Sequence, residues 1–136
     1  MAVEHAWSAV CDRVSIDRDT EALRLDVVDR LIVVSGVPAG DLLIVPCRLE
    51  IVSHWFRGDP ALGQRSAATL RGLSPGGREL ARFGVAIDLT ACERVRTRCV
   101  LDGLAVEGEG RHLFTVGLDD GGRVVTRLPI DVVFRG

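Results

Sequence analysis

Apolar and polar residues alternate along most of this chain. In CRLEIVSHW (47–55), Cys47, Leu49, Ile51, Ser53 and Trp55 fall on one face of an extended segment. Arg48, Glu50, Val52 and His54 fall on the other. A period of two is the mark of a half-buried strand. In EALRLDVVDRLIVV (21–34), Leu23, Leu25, Val27, Leu31 and Val33 share a parity, with Arg24, Asp26 and Arg30 opposite. Asp29 breaks that rule and marks a bulge or a satisfied polar position. The same rhythm aligns Phe83, Val85, Ile87 and Leu89; then His112, Phe114, Val116 and Leu118; then Leu128, Ile130, Val132 and Phe134. Pro129, inside the last run, donates no backbone hydrogen bond and calls for an edge or a bulge.

Glycine, proline and aspartate punctuate these runs. SIDRDTEA (15–22) reads as a short polar connection, LSPGGRE (73–79) as a turn, and LDDGGRV (118–124) as a Gly-rich hairpin. The best helical window is LTACERVR (89–96), one or two turns with Thr90 as the cap. Roughly seven to nine strands are expected, and they favour a two-sheet antiparallel β-sandwich. The expectation is an all-β chain, immunoglobulin-like in general architecture, with at most one short helix. Residues 1–136 form one domain, with no linker, repeat or low-complexity stretch.

Composition narrows the function classes. A hydrophobic share of 47% suits a folded globular chain, and a formal charge of −2 supplies no basic field for nucleic acid. All 17 basic residues are arginine, and lysine, asparagine and tyrosine are absent. Those three are encoded by A/T-rich codons, so the bias points to a GC-rich bacterial genome. MAVEHAWSAV lacks the features of a signal peptide, and the apolar runs are too short for a bilayer. A cytoplasmic location is the expectation. Cys11, Cys47, Cys92 and Cys99 contain no CxxC pair, so reduced, buried, structural thiols are expected in place of disulfides or a zinc site.

SHWFRGDP (53–60) concentrates candidate chemistry: His54, Arg57 and Asp59 surround the indole of Trp55. The parity places His54 on the polar face and Trp55 at one end of the core. RGDP then supplies a turn, and an adhesion role would need an extracellular setting. Cys47 and His54 differ in parity and lie more than about 20 Å apart along one strand, so they form no nucleophilic pair. His112 is expected as a partly buried, hydrogen-bonded residue at the core rim, and His5 near a mobile terminus. The aspartates of three loops (Asp17 and Asp19; Asp59; Asp119 and Asp120) suit turns better than a calcium cage. In RVRTRC (94–99), Arg94, Arg96 and Arg98 share a strand face, either a phosphate ladder or a charged edge that discourages strand pairing. Most of the six aromatic residues sit at core parity, which favours the charged edge.

VCDRVSIDRDTEALRLDVVDRL (10–31), LSPGG (73–77) and GRHLFTVGLDDG (110–121) together resemble a family of small uncharacterised bacterial β-sandwich proteins. Its members open with a strand ending in Cys-Asp, followed by an acidic turn. At the place of His112 they more usually show tyrosine. The resemblance implies a fold and no activity. It marks Cys11 as packed and Asp12 as bonded to a nearby amide or arginine.

The candidate binding residues are therefore Asp12, His54, Arg57, Asp59 and His112, with no catalytic residue, metal ligand or cofactor expected. The leading expectation is a binding module whose partner is another protein or itself, with no nucleic acid and no membrane. LIVVSGV (31–37) and LLIVP (42–46) are apolar at both parities and suggest a homodimer. The alternatives are a small hydrolase using His112 and a sandwich with an interior pocket for an apolar ligand.

Overall fold

The structure, a computed structural model, describes residues 3–34, 42–119 and 122–135. Within them the chain forms nine strands and no helix. These are β1 (Val3–Ile16), β2 (Leu23–Val27), β3 (Arg30–Val34), β4 (Leu42–Arg57), β5 (Gln64–Leu73), β6 (Glu79–Leu89), β7 (Arg94–Glu107), β8 (Gly110–Leu118) and β9 (Arg123–Arg135). They make a four-stranded sheet A in the order β2-β1-β4-β7 and a five-stranded sheet B in the order β3-β9-β8-β5-β6. The chain is all-β, as its alternation predicts.

The alternating runs land where their parity puts them. Leu49, Ile51 and Trp55 of sheet A join Ile87, Phe114, Val116, Leu118, Ile130 and Val132 of sheet B in a single buried cluster. Trp55 is fully enclosed, and its Nε1 donates to Thr97 Oγ1 at 2.9 Å, so the indole is buried without an orphaned donor. At LSPGGRE the amide of Ser74 donates to the carbonyl of Arg78, and Gly77 takes a φ of 87°, where a side chain would be strained. Of the hairpin joining β8 to β9, Asp120 and Gly121 lie outside the described residues.

Several expectations are corrected. The segment 21–34 is two strands in different sheets: Asp29 ends the pairing with sheet A, and β3 then joins β9 of sheet B in parallel. The pairing is therefore not wholly antiparallel. Pro129 lies in β9 just before that ladder begins at Asp131, so β3 does not flank it there.

The helix expected over 89–96 is absent. Leu89 closes β6 in the core and Arg94 opens β7, which leaves four residues to cross between sheets. Asp88 Oδ1 holds both the amide and the hydroxyl of Thr90, at 3.0 and 2.6 Å.

The N-terminal stretch is also ordered. β1 begins at Val3 and pairs with β4, with register shifts between His5 and Trp7 and between Cys11 and Arg13. The strand thus continues beyond Cys-Asp to Ile16. The middle of the outer face of β4 is also covered: Glu50 and Val52 are 5% and 1% exposed, while Arg48 is exposed and His54 and Phe56 are half-buried. As an inner strand, β4 has β1 and β7 on either side, and their side chains cover Glu50 and Val52.

Candidate functional site

The five candidate binding residues are not brought together. His112 is buried on β8, where Nε2 accepts the amide of Glu107 at 2.9 Å and Nδ1 faces the carbonyl of Gly110 at 3.3 Å. An accepting Nε2 places the proton on Nδ1, so the ring is neutral with both nitrogens engaged by backbone. Burial pushes its pKa below the usual histidine value, and the Gly110 carbonyl and the Glu107 charge oppose that shift. No hydroxyl, thiol or carboxylate is hydrogen-bonded to it among the described residues.

Arg57 and Asp59 organise the turn after β4. The guanidinium of Arg57 donates from Nε to the carbonyl of Leu89 at 2.9 Å and from Nη1 to that of Pro60 at 2.9 Å. A third bond runs from Nη2 to the carbonyl of Thr90 at 3.2 Å. Asp59 Oδ1 accepts the amide of Ala61 at 3.0 Å. The Arg-Gly-Asp triplet is thus a turn whose arginine clamps β4 to the end of β6. Asp12 is exposed in the second bulge of β1 and its side chain makes no hydrogen bond to the described residues, contrary to the partner expected for it.

The thiols are dispersed. Cys11 is fully buried but on the outer side of sheet A, opposite Glu50, and its Sγ donates weakly to the Glu50 carbonyl at 3.5 Å. Cys47 and Cys99 pack partly buried against the core, and Cys92 is exposed between β6 and β7. The expectation of four buried thiols fails at Cys92, which lies on the connection and not on a strand. Asp17 Oδ1 accepts the amides of Asp19 and Thr20, both at 2.9 Å, and caps its own turn. Among the described residues no group of three His, Cys, Asp or Glu side chains is placed to hold a metal ion.

His5, expected in a mobile stretch, forms the chain's one hydrogen bond between a histidine and a hydroxyl among the described residues. Its Nε2 lies 2.8 Å from Ser8 Oγ, which in turn lies 2.7 Å from Ser53 Oγ. The ring stands edge-on to Trp55, with centroids 5.1 Å apart. On the opposite side of the same sheet, Trp7 stands edge-on to His54 at 5.7 Å. His54 is on the polar face, as its parity predicts, directly between Trp7 on β1 and Arg96 on β7. Burial lowers its pKa first, and the charges of Arg94 and Arg96 lower it further.

Directly opposed residues share a face, so the ladders lay out the outer side of sheet A in rows. Glu4, Phe56 and Arg94 make one row; Trp7, His54 and Arg96 the next; Ala9, Val52 and Arg98 the third; Cys11, Glu50 and Val100 the fourth. Arg98 Nη2 donates to Glu50 Oε1 at 2.7 Å and neutralises it. Arg94 and Arg96 are exposed and make no ion pair with the described residues. With His54 and Val95 they line a shallow depression of about 540 Å³. Phe56 shares the parity of His54, so its place was legible; Trp7 was hidden by the bulge beside it.

Two other features bear on binding. A cleft lined by Leu80, Phe83, Leu104, His112, Phe114 and Ile130 encloses about 30 Å³, room for water and not for a ligand of drug size. At one edge of sheet B among the described residues, β3 exposes Ile32 by 45% and Val34 by 81%. At the start of β4, Leu42 and Ile44 are 55% and 60% exposed. Gly36 and Val37, part of the apolar stretch noted in the sequence, lie outside the described residues.

No family model matches the chain, and no curated protein matches it significantly. Among solved structures, an immunoglobulin-like protein from Pseudomonas aeruginosa is similar over 97% of this chain and 97% of its own, with 13% identity and a TM-score of 0.46. At that score the likeness carries no weight for function.

Proposed function

We propose that the chain is a small bacterial β-sandwich, immunoglobulin-like in general architecture, that works by binding and associates with a second copy of itself through the edge of β3. The sandwich reading draws support from one core shared by two sheets, with β4 to β5, β6 to β7 and β7 to β8 each crossing between them. The binding reading draws support from the histidines. The nitrogens of His112 are engaged by backbone, which works against its use as a general base.

The observation that carries self-association is the contrast among the four sheet edges. β7 bears Arg94, Arg96 and Arg98, β2 bears Arg24 and Asp26, and β6 bears Glu79, Arg82 and Asp88. Charges of this kind discourage strand addition. β3 reads RLIVV, with one charge at its start and exposed Ile32 and Val34 beyond it. Antiparallel pairing of β3 with its copy about Ile32 sets Ile32 against Ile32, Leu31 against Val33 and Arg30 against Val34 in an isologous contact, and continues sheet B across two molecules.

A five-residue edge makes a small interface, so association is concentration-dependent. Light scattering from about 10 µM to about 1 mM protein should show a rising mass, and Ile32→Lys with Val34→Lys should hold it at one chain. A wild-type chain that stays monomeric across that range rules the reading out.

A further inference from the structure

From the outer face of sheet A we infer a second binding surface, for single-stranded nucleic acid, with bases on Trp7, His54 and Phe56 and phosphates on Arg94 and Arg96. It lies on the other sheet from β3, so the inference goes beyond self-association and stands or falls independently.

Three observations carry it. The first is positive charge: Arg94 and Arg96 project from one face of an edge strand and make no ion pair with the described residues, Glu4 in the Arg94 row lying beyond Phe56, while Arg98 beside them is committed to Glu50. The second is the position of the aromatics. His54 lies directly across from Arg96, and Phe56 directly across from Arg94, one strand spacing or about 4.8 Å away. Trp7 completes the His54 row on β1. Four of the six aromatic residues pack in or against the core, as their parity predicts, and Trp7 and Phe56 are the two that face outward beside the arginines.

The third is shape. A flat sheet face has no protruding element to enter a duplex groove, whereas unstacked bases lie on such a face against aromatic side chains. Arginine adds to this, since its planar guanidinium pairs with phosphate and stacks as well. An acidic peptide would satisfy the arginines but has no use for the ring-sized surfaces beside them. The geometry accommodates about two or three nucleotides.

The test is a titration of fluorescein-labelled oligothymidylate and oligouridylate of about ten nucleotides, followed by anisotropy and by tryptophan emission. Trp55 is fully buried, so a change in emission reports Trp7. Binding should weaken with salt at a log–log slope of roughly −1.4, as two phosphate contacts on a single strand require. Arg94→Gln with Arg96→Gln should lower affinity about tenfold or more, and the paired Lys variant should retain most of it. Thermal melts of both variants separate lost contact from lost fold.

Trp7→Phe should remove the emission change while anisotropy still reports binding. Free mononucleotides should compete only weakly, which distinguishes a strand from a nucleotide. No anisotropy change at about 50 mM salt, or full affinity in the Gln pair, overturns the inference. Equal quenching of Trp7 by poly-glutamate also overturns it and assigns the face to an acidic protein.

Discussion

The amide of Glu107 donates to His112 Nε2 across the turn between β7 and β8, at 2.9 Å, and fixes the imidazole as the Nδ1–H tautomer. The ring thereby acts as an internal clasp for a turn that includes Gly108 and Gly110, both at positive φ. His112→Leu keeps much of the volume but leaves the Glu107 amide without its acceptor. The expected loss is about 1–3 kcal/mol, the cost of an unsatisfied buried donor. Urea unfolding with an unchanged slope and a lower midpoint would display it. A midpoint equal to that of the wild type would mean the clasp contributes nothing.

The three histidines act in concert on pH. Burial is the largest cause of a lowered pKa at His5, His54 and His112 alike, from an ordinary value of 6.5. The unfolded chain therefore takes up protons that the folded chain refuses. The stabilisation is complete above the unfolded value and is lost as pH falls through the lower folded values. Asp17, Asp88 and Glu79 are also held below their ordinary values of 3.8, 3.8 and 4.5, but they titrate in a more acidic range. Melting temperatures should be level near pH 8 and fall between about pH 6.5 and pH 5, with His112→Gln reducing the slope. A flat profile over that interval would contradict the burial described for all three rings.

The thiols should react in a set order. Burial raises the pKa of Cys11, Cys47 and Cys99, with Glu50 and Asp12 adding to the effect at Cys11. Cys92 is exposed on its connection. A small alkylating reagent at neutral pH should modify Cys92 first, the half-buried pair slowly, and Cys11 only as the chain unfolds. Mass spectrometry of the native protein reads this order directly, and early modification of Cys11 would refute it.

The inner faces of β4, β6, β8 and β9 were legible because each runs several residues without interruption between clear turn residues. β1 was not, because two bulges reset its parity within a single strand, and the stretch from Val3 to Ile16 no longer alternates. The break at Asp29 was visible as an anomaly, but a polar residue out of phase looks the same whether a strand bulges or changes sheet. LTACERVR misled for a related reason: a polar connection followed by alternating arginines mimics a capped turn. The outward aromatics divide along the same line. Phe56 follows from the period of β4, whereas Trp7 depends on a register that only the ladder with β4 supplies.

The parallel ladder of β3 with β9 has a consequence for synthesis on the ribosome. Arg30 pairs with Asp131, about a hundred residues later, so β3 has no ladder to join until nearly all of the intervening chain has been translated. Sheet A can assemble around β4 much earlier. During that interval RLIVV waits with both of its edges bare, and nascent chains on one message are most apt to capture each other there.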